Sequence, residues 1–66
     1  MTIQLNGSTY DVAPGTTVAE AVARLTATGD GIAVARNGEI VQRREWSSIA
    51  LDDGDTIEVV TAHQGG

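Results

Sequence analysis

The dipeptide Asn-Gly occurs twice in this chain, at residues 6–7 and 37–38, each time between two short runs of strand-forming residues. Asn and Gly both tolerate positive φ, which the tightest strand reversals require, so each copy predicts a hairpin. Before the first turn, Thr2-Ile3-Gln4-Leu5 alternates polar and apolar residues, the period of a half-buried strand. After it, Ser8-Thr9-Tyr10-Asp11-Val12 puts Tyr10 and Val12 on one face. Around the second turn, Ile32-Ala33-Val34-Ala35-Arg36 reads as a strand and Glu39-Ile40-Val41 as its return.

Between the hairpins the period changes. Pro14-Gly15 closes the first hairpin. Thr17 and Glu20 then have the spacing of a capping box, in which each side chain answers the other's backbone N–H. Val18, Ala21, Val22 and Leu25 form one stripe of an amphipathic helix of about three turns. Glu20 and Arg24 are spaced for an ion pair on its other side, and Gly29 is the expected stop. Residues 43–48 predict a single helical turn carrying Trp46 to the core edge, where Tyr10 also packs. Asp52-Asp53-Gly54-Asp55 reads as a solvated turn, and residues 56–61 as a last strand with Ile57 and Val59 inward. Glu58, Val60 and Ala62 then lie on the outer face.

One helix covers one face of a sheet and leaves the other in water. The expectation is an α+β fold with a mixed four- to five-stranded sheet. Its first and last strands are neighbours at the centre, the domain spans residues 1–62, and a flexible tail follows over 63–66.

Composition removes several functions. With 66 residues, no cysteine and one histidine, the chain has room for one domain and lacks the ligands of a zinc site. A net charge of −5 disfavours nucleic acid and favours a basic protein surface. Cations are all arginine; with no lysine, no side-chain amine can form an isopeptide bond. The longest apolar stretch, residues 32–35, is far too short to cross a membrane, and residues 1–4 do not begin a signal peptide. A cytoplasmic protein, monomeric when free, is expected. Ser47 and Ser48 have no histidine nearby in sequence to form a nucleophile–base pair, and the aspartate cluster lacks the register of a calcium loop. Neither a catalytic residue nor a metal site is therefore predicted.

The terminal pair Gly65-Gly66 has no structural purpose after a strand. Functionally, residues without Cβ atoms can thread a narrow channel in almost any conformation. Extended, residues 63–66 reach about 13 Å, far enough to place a carboxylate inside another protein's active site. A carboxylate is a poor acyl donor, but adenylation by ATP would make Gly66 a mixed anhydride open to sulfur or nitrogen nucleophiles.

Asn6-Gly7, residues 14–18, Val34-Ala35-Arg36-Asn37-Gly38-Glu39-Ile40-Val41, Arg44-Glu45-Trp46, residues 51–55, and residues 57–62 leading to Gly65-Gly66 together resemble a known family. It is that of the ubiquitin-like β-grasp sulfur carriers, and within them the thiamine-biosynthesis sulfur-carrier (ThiS) family. The resemblance implies a non-enzymatic carrier that binds no cofactor of its own. An E1-like adenylyltransferase, consuming ATP and magnesium, would activate Gly66. A persulfide from a cysteine desulfurase or rhodanese-like domain would convert it to a thiocarboxylate, and thiazole synthase would accept the sulfur. Gly65, Gln64 and His63 would enter the partner's active site, while Glu58, Val60 and Ala62 would form the docking surface. Three alternatives remain at this point: the small subunit of molybdopterin synthase, a covalent ubiquitin-like modifier, and a passive β-grasp binding domain.

Overall fold

Asn6 and Asn37 both take φ 50, followed by Gly7 at 83 and Gly38 at 86, the positive-φ pair of a type I′ turn. The computed structural model describes residues 1–26 and 29–61. In it these turns join β1 (Thr2–Leu5) to β2 (Ser8–Asp11) and β3 (Ile32–Arg36) to β4 (Glu39–Val41). Ile3 stands opposite Tyr10, and Val34 opposite Val41. Both hairpins thus carry the register that their alternation predicts.

The last strand, β5 (Thr56–Thr61), completes a five-stranded sheet of order β2-β1-β5-β3-β4. It lies in the centre, parallel to β1 and antiparallel to β3, so the expected neighbours are adjacent. Ile3, Leu5, Val34 and Ile57 point to one face and are completely or almost completely buried there. Opposite them pack Val18, Ala21 and Val22 of α1 (Val18–Ala23), the one α-helix among the described residues. Burying each large aliphatic side chain contributes about 2 kcal/mol, which offsets the weak intrinsic stability of so short a helix.

The start of α1 is fully partnered. Thr17 Oγ1 accepts the Glu20 N–H at 3.2 Å, and Glu20 Oε1 accepts the Thr17 N–H at 2.9 Å, completing the expected capping box. The loop after a 3-10 turn at Arg43–Glu45 supplies the other acceptors: Ile49 O for Val18 N–H and Trp46 O for Ala19 N–H, both at 3.0 Å. With its amides answered, this helix start does not present the bare N–H groups of an anion site.

Four sequence expectations are corrected. The helix is six residues long, not three turns. Beyond Ala23 it tightens, with Arg24 and Leu25 N–H bonding to carbonyls three residues back. Leu25 consequently leaves the buried stripe and is 40% exposed. Glu20 forms no ion pair with Arg24, because its carboxylate is occupied by the cap. Arg24 lies instead over the Tyr10 ring, 5.7 Å from the centroid. Gly29 does not cap the helix, whose C-cap is Arg24. At φ 71 it leaves room for the indole, since a Cβ there would come within 3.1 Å of Trp46 Cζ3. Trp46 itself is buried and donates its Nε1–H to Val41 O at 3.0 Å. Finally, the aspartate turn is not wholly solvated: Asp55 is 6% exposed.

Candidate functional site

Alternation along β5 sends Ile57 into the core and Glu58 and Val60 outward. The registers place Val60 beside Ala33, Glu58 beside Ala35, and Ala35 beside Ile40. Small alanines in the middle leave the flanking side chains standing proud: Val60 is 59% exposed and Ile40 68%. From Thr56 of β5 the same face continues over β1 and β2 with Gln4 and Thr9, Gln4 Nε2 donating to Thr9 Oγ1 at 3.2 Å. The open face is therefore divided into a polar half over β1 and β2 and a strip over β3, β4 and the end of β5 that is apolar apart from Glu58. The strip flanks the end of β5 from which the chain continues toward Gly66.

Glu58 and Val60 stand where the sequence expectation put them. Ala62, His63, Gln64, Gly65 and Gly66 lie outside the described residues. Ile40 was missed as a surface residue, though the signal was present: with Val41 opposite Val34 and inward, Ile40 must face out.

The two ends of β5 are held differently. At its start, Asp55 accepts hydrogen bonds from Arg36 Nε at 2.8 Å, Asn37 Nδ2 at 3.0 Å and the Asp52 N–H at 2.8 Å. Arg36 also pairs with the exposed Asp52 at 3.0 Å. Burial alone would raise the Asp55 carboxyl. The bonds from the Asp52 N–H, Asn37 and Arg36, with the Arg36 charge, outweigh it and hold the group below its ordinary value. At the far end, Asn6 Nδ2 donates to Val59 O at 3.0 Å, and Asn6 Oδ1 accepts the Val59 N–H at 2.7 Å. Behind that end, on the helix side, a shallow cleft of about 380 Å³ is lined by Asn6, Leu25, Ile32, Val59 and Thr61, among others.

Among the described residues, no cluster of three His, Cys, Asp or Glu side chains could hold a metal ion. No helix there is long and apolar enough to cross a membrane. Ser48 Oγ donates to Glu45 O at 3.0 Å, a local turn contact.

The sulfur carrier protein ThiS of Escherichia coli K12 is 35% identical over 66 residues, covering all of both chains. Thiazole synthases of Paramagnetospirillum magneticum and Magnetococcus marinus match the whole chain at 32% and 35% identity. The chain spans about a fifth of the length of those two relatives, 20% in each case. The crystal structure of the thiamine biosynthesis protein ThiS from Geobacter metallireducens superposes with a TM-score of 0.83 at 29% identity, covering both chains completely. The solution structure of a thiamine biosynthesis protein from the same organism gives 0.73 at 32%, covering all of this chain and 88% of that one. The ThiS family model matches residues 3–66, which takes in both hairpins, the helix, the central strand and the terminal glycines, and on that match the chain belongs to the ThiS family, with the β-grasp fold.

Proposed function

We propose that this protein is the sulfur carrier of thiazole formation in thiamine biosynthesis, with Gly66 as the group that is charged. The observation that carries this reading is the family match across residues 3–66, which includes the Gly65-Gly66 pair. The full-length likeness to a sulfur carrier supports it further. The apolar strip beside the end of β5 suits a carrier whose chemistry belongs to its partners.

The sequence of steps follows from the chemistry of a carboxylate. In an E1-like adenylyltransferase using ATP and magnesium, a Gly66 oxygen attacks the α-phosphorus and expels pyrophosphate. The terminal sulfur of a persulfide, from a cysteine desulfurase or rhodanese-like protein, then displaces AMP from the acyl carbon. A thiol cleaves the resulting acyl disulfide, taking the outer sulfur into a new disulfide and leaving the thiocarboxylate. Thiazole synthase accepts that sulfur, a partner supported by the two thiazole synthases that contain a matching stretch. Within this chain, Gly65, Gln64 and His63 thread the partner's channel, where the absence of a Cβ on the two glycines allows close approach at the tip. Glu58, Val60 and Ala62 contribute to docking, with Ile40 extending the same strip. The carrier works in the cytoplasm, is a monomer when free and binds no cofactor of its own.

Intact-mass spectrometry after incubation with an E1-like adenylyltransferase, ATP and a persulfide donor tests the proposal. Replacement of one Gly66 oxygen by sulfur is expected, and deletion of Gly66 should abolish it without unfolding the domain. An unchanged mass with a competent enzyme would reject the reading. Capture of thiazole synthase is expected in parallel; capture of the molybdopterin synthase large subunit in its place would reassign the acceptor.

A further inference from the structure

The backbone groups of successive β5 residues point alternately to its two neighbours. On the β3 side, Thr56 O accepts the Asn37 N–H at 2.8 Å. On the β1 side, Asp55 O accepts from Gln4 N at 2.9 Å and Ile57 O from Asn6 N at 3.0 Å. The next residue facing that side is Val59. By then β1 has ended, because Asn6 and Gly7 turn the chain away into β2. The Asn6 carboxamide fills the place of the missing strand residue: it donates to Val59 O and accepts from Val59 N–H, as a backbone amide would. The two residues are 53 apart in sequence. Past the pairing of Leu5 with Ile57, this side chain is the brace at Val59 on the β1 side among the described residues. On its other side β5 stays paired with β3 as far as Thr61, which stands opposite Ile32, so Asn6 supplies the second flank of a strand end that β3 already holds on the first.

We infer that Asn6 is a positioning residue for the carrier reaction: its carboxamide steadies the exit end of β5 on the side where β1 has ended, adding to the β3 pairing on the other side, so that β5 stays ordered up to Thr61. This inference rests on the proposed function, since it concerns presentation of Gly66. The physical reason is preorganisation. A partner that must grip both the sheet face and the terminal residues binds more tightly when the joint between them is already ordered. A loosened joint moves that ordering cost into binding, so it raises KM while leaving the chemistry on bound Gly66 unchanged.

Asn6→Gly tests this, because glycine keeps the positive φ and removes the carboxamide. ATP–pyrophosphate exchange by an E1-like adenylyltransferase that charges the unsubstituted chain gives the kinetic readout, well below the melting temperature. The expected result is a KM for the carrier raised about three- to tenfold, with kcat within about twofold. Exchange of the Val59 amide hydrogen should accelerate by about tenfold or more. Asn37→Gly, at the other Asn-Gly turn, should leave both kinetic constants unchanged. An unchanged KM despite faster Val59 exchange would overturn the inference, and so would unaltered exchange. If Asn6→Gly does not fold, Asn6→Asp serves, since it keeps the acceptor for Val59 N–H but sets a carboxylate oxygen against Val59 O. A raised KM is again expected, and an unchanged one overturns the inference. Failure of the unsubstituted chain to be charged would instead overturn the proposed function, while Val59 exchange would still report the brace.

Discussion

Asn6-Gly7 and Asn37-Gly38 share a dipeptide, a pair of dihedral angles and a place at a hairpin tip, yet their carboxamides serve opposite ends of one strand. Asn37 accepts the Thr56 N–H at 2.9 Å and donates to the buried Asp55, joining a charged network at the start of β5. Asn6 holds Val59 near the end of β5, with no charge involved and with water close by. The turn chemistry is local and identical; the use of each side chain depends on which part of β5 the sheet places beside it. One end of the central strand is anchored in the core and the other is steadied at the surface.

The strongest way to break this contrast is at the anchored end. Asp55→Ala would leave Arg36, Asn37 and the Asp52 N–H without their shared acceptor, and should cost about 3 kcal/mol in urea unfolding. A loss below about 1 kcal/mol would show that the network does not anchor β5. The same carboxylate sets a pH dependence. Its folded-state pKa lies below the ordinary value of 3.8, so its stabilisation is present above that value and is lost as pH falls through the lower, folded one. Urea midpoints of the unsubstituted chain should therefore decline below about pH 4, and Asp55→Asn should flatten that decline.

Smaller effects sharpen the comparison. Asn37→Gly keeps the turn but removes two hydrogen bonds, one to a buried carboxylate, and should cost about 1–2 kcal/mol. Asn6→Gly removes two exposed bonds and should cost about 1 kcal/mol or less, although it is the variant expected to change carrier recognition. Equal losses at the two turns would erase the distinction drawn between the ends of β5. The smallest stability change is expected on the apolar strip: Ile40→Ser and Val60→Ser should each shift stability by about 0.5 kcal/mol or less, as exposed positions do. Both should nevertheless raise KM for charging. Unaltered KM in both would remove the strip from the docking surface.

Much of this architecture was legible from the residues. The hairpins, the capping box, the residues of β5 and its position beside β1 all follow from short-range patterns and from the need of one helix to cover one sheet face. The helix length was not legible, because Leu25 continues the apolar period while the backbone tightens after Ala23. Nor was Asp55: four consecutive turn-forming residues look alike until Arg36 and Asn37 arrive from a different hairpin to bury one of them. For the candidate site, Glu58 and Val60 followed from alternation, and Ile40 could have followed by the same rule. The link from Asn6 to Val59 could not, since it spans nearly the whole chain.

By itself the sequence determined the local conformations: positive φ at two turns, a capped helix start, and period-two strands with a defined inner face. These depend on each residue's own backbone preferences and nearest neighbours. Beyond the capping box, tertiary structure alone decided which polar side chains became structural. A carboxamide or carboxylate is committed by the unpaired backbone group or buried charge that packing sets against it. Those partners came from 18 residues away for Asn37 with Asp55, and from 53 for Asn6 with Val59.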